Sequence, residues 1–197
     1  HVRSRRQRQM CIRDRQWHDE RSQFYLHNFL ISQPDLNFHN EEVQQQMLDE
    51  IEYWLKLGVD GFRFDVINFL YHDSGLRDNP AKDPKLARPL GFNKDNPYGL
   101  QIHKYDNTQP ETLEYLSRVR KVLDKYDAIS VGEIVSENPL DVIGEYANDQ
   151  RLHMAYCFEF LSEDFNFSDT NKIVDQFFHN NPNSVSYTHL TLPTTPY

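Results

Sequence analysis

The sequence predicts an α/β fold in which short parallel strands alternate with helices, and three observations carry that expectation. Asn40 before Glu41 and Glu42 reads as a helix start, apolar residues recur at Val43, Met47, Ile51, Trp54 and Leu55, and Gly58 closes the run. Gly58 to Val66 then reads as a short strand, aromatic or apolar on both faces. The rhythm repeats downstream, and each of the two strands ends at a carboxylate, Asp65 in the first and Glu133 in the second. Carboxylates at successive strand C-termini point to a (β/α)8 barrel, whose functional groups occupy that rim.

From Gln23 to Asn40 aromatics alternate with turn formers, ending in Gln33-Pro34-Asp35-Leu36-Asn37, so a loop is expected there. In the strand after Gly58, residues two apart share a side, which places Arg63 and Asp65 on one face and Phe62 with Phe64 on the other. Val66 to Tyr71 is apolar and leads into a long segment, about His72 to Thr108, with prolines at 80, 84, 89 and 97. A loop of that length inside a compact domain is expected to serve a function such as an active-site wall.

Gln109-Pro110-Glu111 opens the next helix, with Leu113, Leu116, Val119, Val122 and Leu123 on one face. Asp127 to Ile134 is the second strand, Asn138-Pro139-Leu140 starts a helix to about Ala147, and Met154 to Phe160 reads as a third strand. Alternation of this kind implies parallel strands joined by crossovers.

Composition narrows the class. The net charge of −9 argues against general nucleic-acid binding, and no apolar run approaches the length that crosses a membrane. Residues 1–15 run against the balance, with six arginines and a single acid. Met10 to Arg15 and Val185 to Thr195 resemble translated sequencing-adapter sequence. Residues 1–15 are therefore expected to be a non-native leader and 184–197 a non-native tail, with 16–40 a loop segment and 41–183 part of the catalytic barrel. Of the two cysteines, Cys157 lies in an apolar run and is expected to be a buried thiol, while Cys11 lies in the leader. That usage favours a reducing compartment, and a cytoplasmic location is the expectation.

Asp65 and Glu133 at neighbouring strand ends suit retaining glycoside hydrolysis, in which one carboxylate attacks the anomeric carbon and the other donates and later removes a proton. The two roles need ionisation behaviour pushed apart. Arg63 gives Asp65 a reason to stay anionic, and Glu133, flanked by Val131, Gly132 and Ile134, has apolar neighbours that help it keep its proton. Taken alone, Arg63 and Asp65 also fit a plain ion pair at a strand end.

Gly61-Phe62-Arg63-Phe64-Asp65 and Val131-Gly132-Glu133 resemble two regions of the α-amylase superfamily, glycoside hydrolase family 13. Gln33-Pro34-Asp35-Leu36-Asn37 resembles the signature of its oligo-1,6-glucosidase and α-glucosidase branch, and the similarity runs from about Gln23 to Phe167, including Arg77-Asp78-Asn79-Pro80 and Asn96-Pro97-Tyr98. The resemblance implies an internal fragment of a TIM barrel, roughly strands 4 to 6 with the intervening helices. It implies that Asp65 is the nucleophile, Glu133 the general acid/base and Arg63 the partner of Asp65. Val66 matches a position where members accepting α-1,6 bonds prefer valine, and Phe69 stands where amylases, but often not glucosidases, carry histidine.

The implied substrate is a small α-glucoside with α-1,4 or α-1,6 bonds, cleaved from the non-reducing end. Neither a cofactor nor a nucleic-acid or membrane partner is expected, and oligomeric state is left open. Calcium is expected, if anywhere, outside this chain, although Asp35 matches a position that helps bind it in amylases. The family's Asp…Asn-His and His-Asp motifs are absent from these residues, so the chain by itself is expected to be inactive and poorly stable. Rival readings within the superfamily are trehalose-phosphate hydrolase and sucrose-isomerising transglucosylase, and a non-enzymatic one is a transporter-associated homologue. His39, His72, His103 and His153 lack metal-ligand spacing and are expected to make loop or surface hydrogen bonds, while Phe92, Tyr98 and Tyr105 are candidates for lining a sugar site.

Overall fold

The computed structural model describes residues 15–83, 97–136, 138–156, 167–180 and 186–187. Cys11, Phe92, Cys157, the adapter-like Met10 to Asp14 and most of the tail lie outside them. The chain divides into two compact units, His1–Val43 with Phe69–Gln109, and Gln44–Asn68 with Pro110–Tyr197.

The first unit contains an antiparallel hairpin, β1 (Arg15–His18) and β2 (Gln23–Leu26). A loop was expected from Gln23 onward. Instead Gln-Phe-Tyr-Leu alternates well enough to pair with β1, and Trp17 meets Phe24 across the pair with ring centroids 5.0 Å apart. Loop structure holds beyond it, where Asp35 N–H donates to Leu26 O and the Asp35 carboxylate accepts from Asn28 Nδ2 at 2.7 Å.

The long segment after His72 is laced rather than open in its described parts. Ala81 bridges Gln101 in antiparallel fashion, Lys82 N–H donates to Leu100 O, and Ile102 N–H donates to Pro80 O. Asn79 Oδ1 accepts from both Lys104 N–H and Tyr105 N–H, at 3.1 and 2.8 Å. One side-chain oxygen thus ties the two arms together.

The second unit is the βα-repeating part. α1 (Glu41–Lys56), most of which belongs to it, starts with Asn40 Oδ1 accepting Glu42 N–H at 2.9 Å and ends at Gly58, whose φ is +94°. Gly58 N–H donates to Leu55 O and Val59 N–H to Trp54 O, the paired bonds of a Schellman motif. Leu48, Ile51 and Leu55 are its buried residues, whereas Trp54, expected on the buried stripe, is half exposed. The buried line runs along the 48–51–55 ridge, and position 54 sits one residue round the helix from it.

β3 (Gly61–Phe64) pairs in parallel with β4 (Ile129–Gly132), β4 with β5 (Met154–Tyr156), and β5 with β6 (Ser186–Tyr187). α2 (Pro110–Asp124) precedes β4, α3 (Pro139–Tyr146) separates β4 from β5, and α4 (Phe167–Asn180) separates β5 from β6. This is a partial (β/α)8 barrel, with strands in sequence order and a helix between successive strands. β6 lies within the stretch read as a tail. β4 is shorter than the expected Asp127 to Ile134, and at its start Asp127 has φ +53°, in the left-handed region and not the extended one.

Leu116, Val119 and Leu123 of α2, Ile143 and Tyr146 of α3, and Leu152 and Ala155 are almost completely buried in this unit. Arg118 of α2 donates to Gln44 and Gln45 of α1, and Tyr126 Oη donates to Glu52 at 3.0 Å, which fixes α2 against α1. No helix among the described residues is long and apolar enough to cross a membrane.

Candidate active site

β3 and β4 end level with each other, because Phe64 is paired with Gly132. The next residue of each chain is Asp65 or Glu133, so the register of one strand pair brings the two carboxylates together. Glu133 N–H donates to Phe64 O at 2.9 Å, and Ile67 N–H donates to Glu133 O at 2.9 Å, which holds both exits in place.

Arg63, the last residue but one of β3, joins the two acids. Its Nη1 donates to Asp65 Oδ1, and its Nη2 donates to Glu133 Oε2 at 2.5 Å. The expected ion pair of Arg63 with Asp65 is therefore present, and it extends to a three-residue cluster. Phe62 and Phe64 stack on each other with centroids 5.9 Å apart, in keeping with their shared face.

Exposure separates the two acids. The Asp65 side chain is 72% exposed and that of Glu133 only 18%, so Asp65 is presented outward while Glu133 is largely covered. Their ionisation differs accordingly. A hydrogen bond from Glu133, and then the Arg63 guanidinium, hold the Asp65 carboxyl below the usual carboxylate range. Burial, followed by the hydrogen bond to Asp65, pushes Glu133 up, against an opposing pull from Arg63. Cover from water therefore favours the protonated form of Glu133, while the donors around Asp65 favour its anion. The sequence suggested Arg63 as the cause for Asp65, whereas in the folded site Glu133 comes first.

Val66 follows Asp65 with φ +34°, in the left-handed region that a β-branched residue rarely enters. Strain of that kind costs on the order of 1–3 kcal/mol and persists only where surrounding bonds over-determine the backbone. Here the bonds are at hand: Val66 N–H reaches the Glu133 carboxylate, and Ile67 N–H reaches the Glu133 carbonyl.

Sequence reasoning missed Tyr156. It ends β5, the third strand, and its ring lies under the Arg63 guanidinium, 5.7 Å from the centroid. The signal available was its place in the third strand of the βα rhythm, although Met154 to Phe160 by itself did not show where the strand would end. It also missed Asn68, fully buried and bonded to Val135.

Tyr98 stacks on His103 with centroids 3.7 Å apart, and Tyr105 lies under Arg77 at 4.2 Å. His103 bonds to Asp106 and to Tyr98 O, His39 to His72 O, and His153 to Ser130, so each makes the hydrogen bonds expected of a loop or packing residue. Burial draws the His72 and His153 rings toward the neutral form. Among the described residues no group of three or more His, Cys, Asp or Glu is placed to hold a metal ion.

Comparison with known proteins agrees with the geometry. The alpha-amylase catalytic-domain model matches residues 6–191. A probable alpha-glucosidase of Rhizobium meliloti is 50% identical over 152 residues, covering 76% of this chain and 28% of that protein. An oligo-1,6-glucosidase of Bacillus cereus is 34% identical over 152 residues, covering 76% of this chain and 25% of the relative. Among solved structures, the alpha-glucosyl transfer enzyme XgtA superposes with a TM-score of 0.85 at 47% identity, over 90% of this chain and 34% of its own. The trehalose-6-phosphate hydrolase of Bacillus licheniformis shares the fold at a TM-score of 0.67 and 24% identity, over 89% of this chain and 31% of its own. The chain thus spans about a third or less of the length of these proteins. With the family model covering nearly all of it, and Asp65, Glu133 and Arg63 together at a strand rim, this chain belongs to the alpha-amylase catalytic-domain family.

Proposed function

We infer that this chain supplies the nucleophile and the general acid/base of a retaining α-glucosidase acting on α-1,4 or α-1,6 bonds of short oligosaccharides. The observation that carries this reading is the level ending of β3 and β4, which puts Asp65 and Glu133 side by side under one guanidinium. Retaining hydrolysis needs carboxyls roughly 5–5.5 Å apart with opposite protonation states. Asp65, exposed and held ionised, attacks the anomeric carbon to form a β-glucosyl-enzyme. Glu133, covered and holding its proton, protonates the leaving oxygen and then takes a proton from the incoming water. Arg63 keeps Asp65 charged and restrains both side chains.

Similarity to XgtA supports a second outcome from the same intermediate, transfer of glucose to an acceptor hydroxyl in place of water. Nothing in the first half-reaction distinguishes the two. Val66, beside the nucleophile, is the residue whose exchange to threonine tests linkage preference, measured as the ratio of maltose to isomaltose turnover.

The test uses the complete protein that carries this sequence. Asp65→Ala is expected to lower turnover by about a thousandfold or more. Glu133→Ala is expected to cost about 10²–10⁴-fold on natural disaccharides and much less on nitrophenyl glucosides, whose leaving groups need no proton. The pH profile of kcat/KM should rise at a pH below the ordinary carboxylate range, where Asp65 ionises, and fall above that range, where Glu133 loses its proton. A first product of inverted anomeric configuration, or an Asp65→Ala variant with near-normal turnover, would overturn the reading.

A further inference from the structure

We propose that Asn68 is a positioning residue for the acid/base: its carboxamide stands in for a peptide group, carries the β3–β4 ladder past both strand ends, and fixes the main chain beyond Glu133. This rests on the reading of Glu133 given above.

The ordinary ladder stops when Val66 turns into the left-handed region and takes the chain out of the strand. The bonding between the two exits nevertheless continues. Glu133 N–H donates to Phe64 O and Ile67 N–H to Glu133 O, each at 2.9 Å. Next, Val135 N–H donates to Asn68 Oδ1 at 3.2 Å, and Asn68 Nδ2 donates to Val135 O at 2.8 Å. A carboxamide has the donor and acceptor of a peptide, so it meets both polar groups of Val135 at once. The orientation is fixed, since a flipped amide would set oxygen against oxygen and nitrogen against nitrogen.

Asn68 is 0% exposed, so its carboxamide is a buried polar group that meets both polar groups of Val135 away from water. Glu133 is therefore held on both sides, by Phe64 and Ile67 at its own peptide groups and by Asn68 two residues further on. The acid/base sits on a short segment after β4, and its aim toward Asp65 depends on where that segment runs. No local sequence signal marks Asn68, because its partner lies 67 residues away.

The experiment compares Asn68→Asp and Asn68→Ser with the complete protein, with rates expressed per active site counted by a slow covalent α-glucoside trap. Asn68→Asp keeps the size but turns the donor facing Val135 O into an acceptor. Asn68→Ser loses the reach. Either variant is expected to lose about ten- to a hundredfold in kcat/KM on a natural disaccharide, the scale of a small misplacement of a reacting group. A dinitrophenyl glucoside, which needs no acid, should change by less than about threefold. The basic limb of the pH profile should move and the acid limb should stay.

A purely structural role would lower the melting temperature and the number of active sites, leaving the leaving-group dependence and the pH limb as they were. Equal losses on both substrates, or an unmoved basic limb, overturn the proposal. So does failure of both Asn68 variants to fold while the Asp65 and Glu133 variants fold, which assigns Asn68 to stability alone. The reading of Glu133 fails separately, when Glu133→Ala itself shows no dependence on the leaving group.

Discussion

Arg63 gives one end of its guanidinium to Asp65 and the other to Glu133, and Tyr156 lies beneath it. A planar fork with several fixed donors suits this work, and a lysine at the same place would offer a point charge with no bidentate reach. A second arginine does a similar task in the other unit. Arg77 Nε and Nη2 donate to Asp73 at 3.0 and 2.5 Å, Arg77 N–H donates to it as well, and the guanidinium covers Tyr105. These bonds hold the Asp73 carboxyl down to about 2. Because the folded value lies below that of an unfolded aspartate, about 3.9, the stabilisation is present in full above that value and is lost as pH falls through about 2. Arg77→Gln should raise the Asp73 titration toward the ordinary range, observable by carboxyl carbon-13 NMR, and should shift the acid unfolding of this unit to higher pH. An unchanged Asp73 titration in that variant would refute the assignment.

At the scale of elements, the β3–β4 pair tolerates added bulk unequally along its length. A Cβ on Gly61 would fall 2.4 Å from the Ile129 carbonyl oxygen, an atom of the paired strand that cannot move without shifting the ladder. On Gly132 it would fall 2.4 Å from Leu152 Cδ1, the tip of a side chain that can turn aside, and 3.2 Å from Ile67 Cγ2. Gly61→Ala is therefore expected to cost about 1–3 kcal/mol, the range for overpacking, and Gly132→Ala less. Urea unfolding of both variants decides this, and the reverse order of losses would contradict it. At Gly61 the close approach is to the paired strand itself, whereas at Gly132 it is to the side chains of Leu152 and Ile67 packed over the strand.

For the molecule as a whole, the described residues bring two carboxylates and one arginine to a strand rim, and β3 has no partner along its other edge among them. An unpaired parallel edge is a site for association. Tyr53, Trp54 and Leu57 at the end of α1 are also exposed, each by half or more. The 197 residues expressed alone are therefore expected to show a melting temperature that depends on concentration, and one that is the same at every concentration would count against this expectation.

Much of this was legible because it is local. The α1 cap at Asn40, the glycine stop at Gly58 and the proline start of α2 follow from short-range bonding, and the Arg63–Asp65 pairing follows from the period of a strand. Asp65 and Glu133 were recognisable as a pair because each closes a strand in a βα rhythm. Other features depend on partners distant in sequence, and only the tertiary structure decided them. The bond from Glu133 that leads in holding Asp65 ionised needs the strand register, and the Asn68–Val135 clamp joins residues 67 apart. The left-handed Val66 is forced by bonds from the next strand, against the preference of its own side chain. Trp54 lies off the buried ridge because helix rotation is set by what the helix packs on, which spacing within one helix does not reveal. Periodicity names the elements and their ends; register and packing determine which atoms meet there.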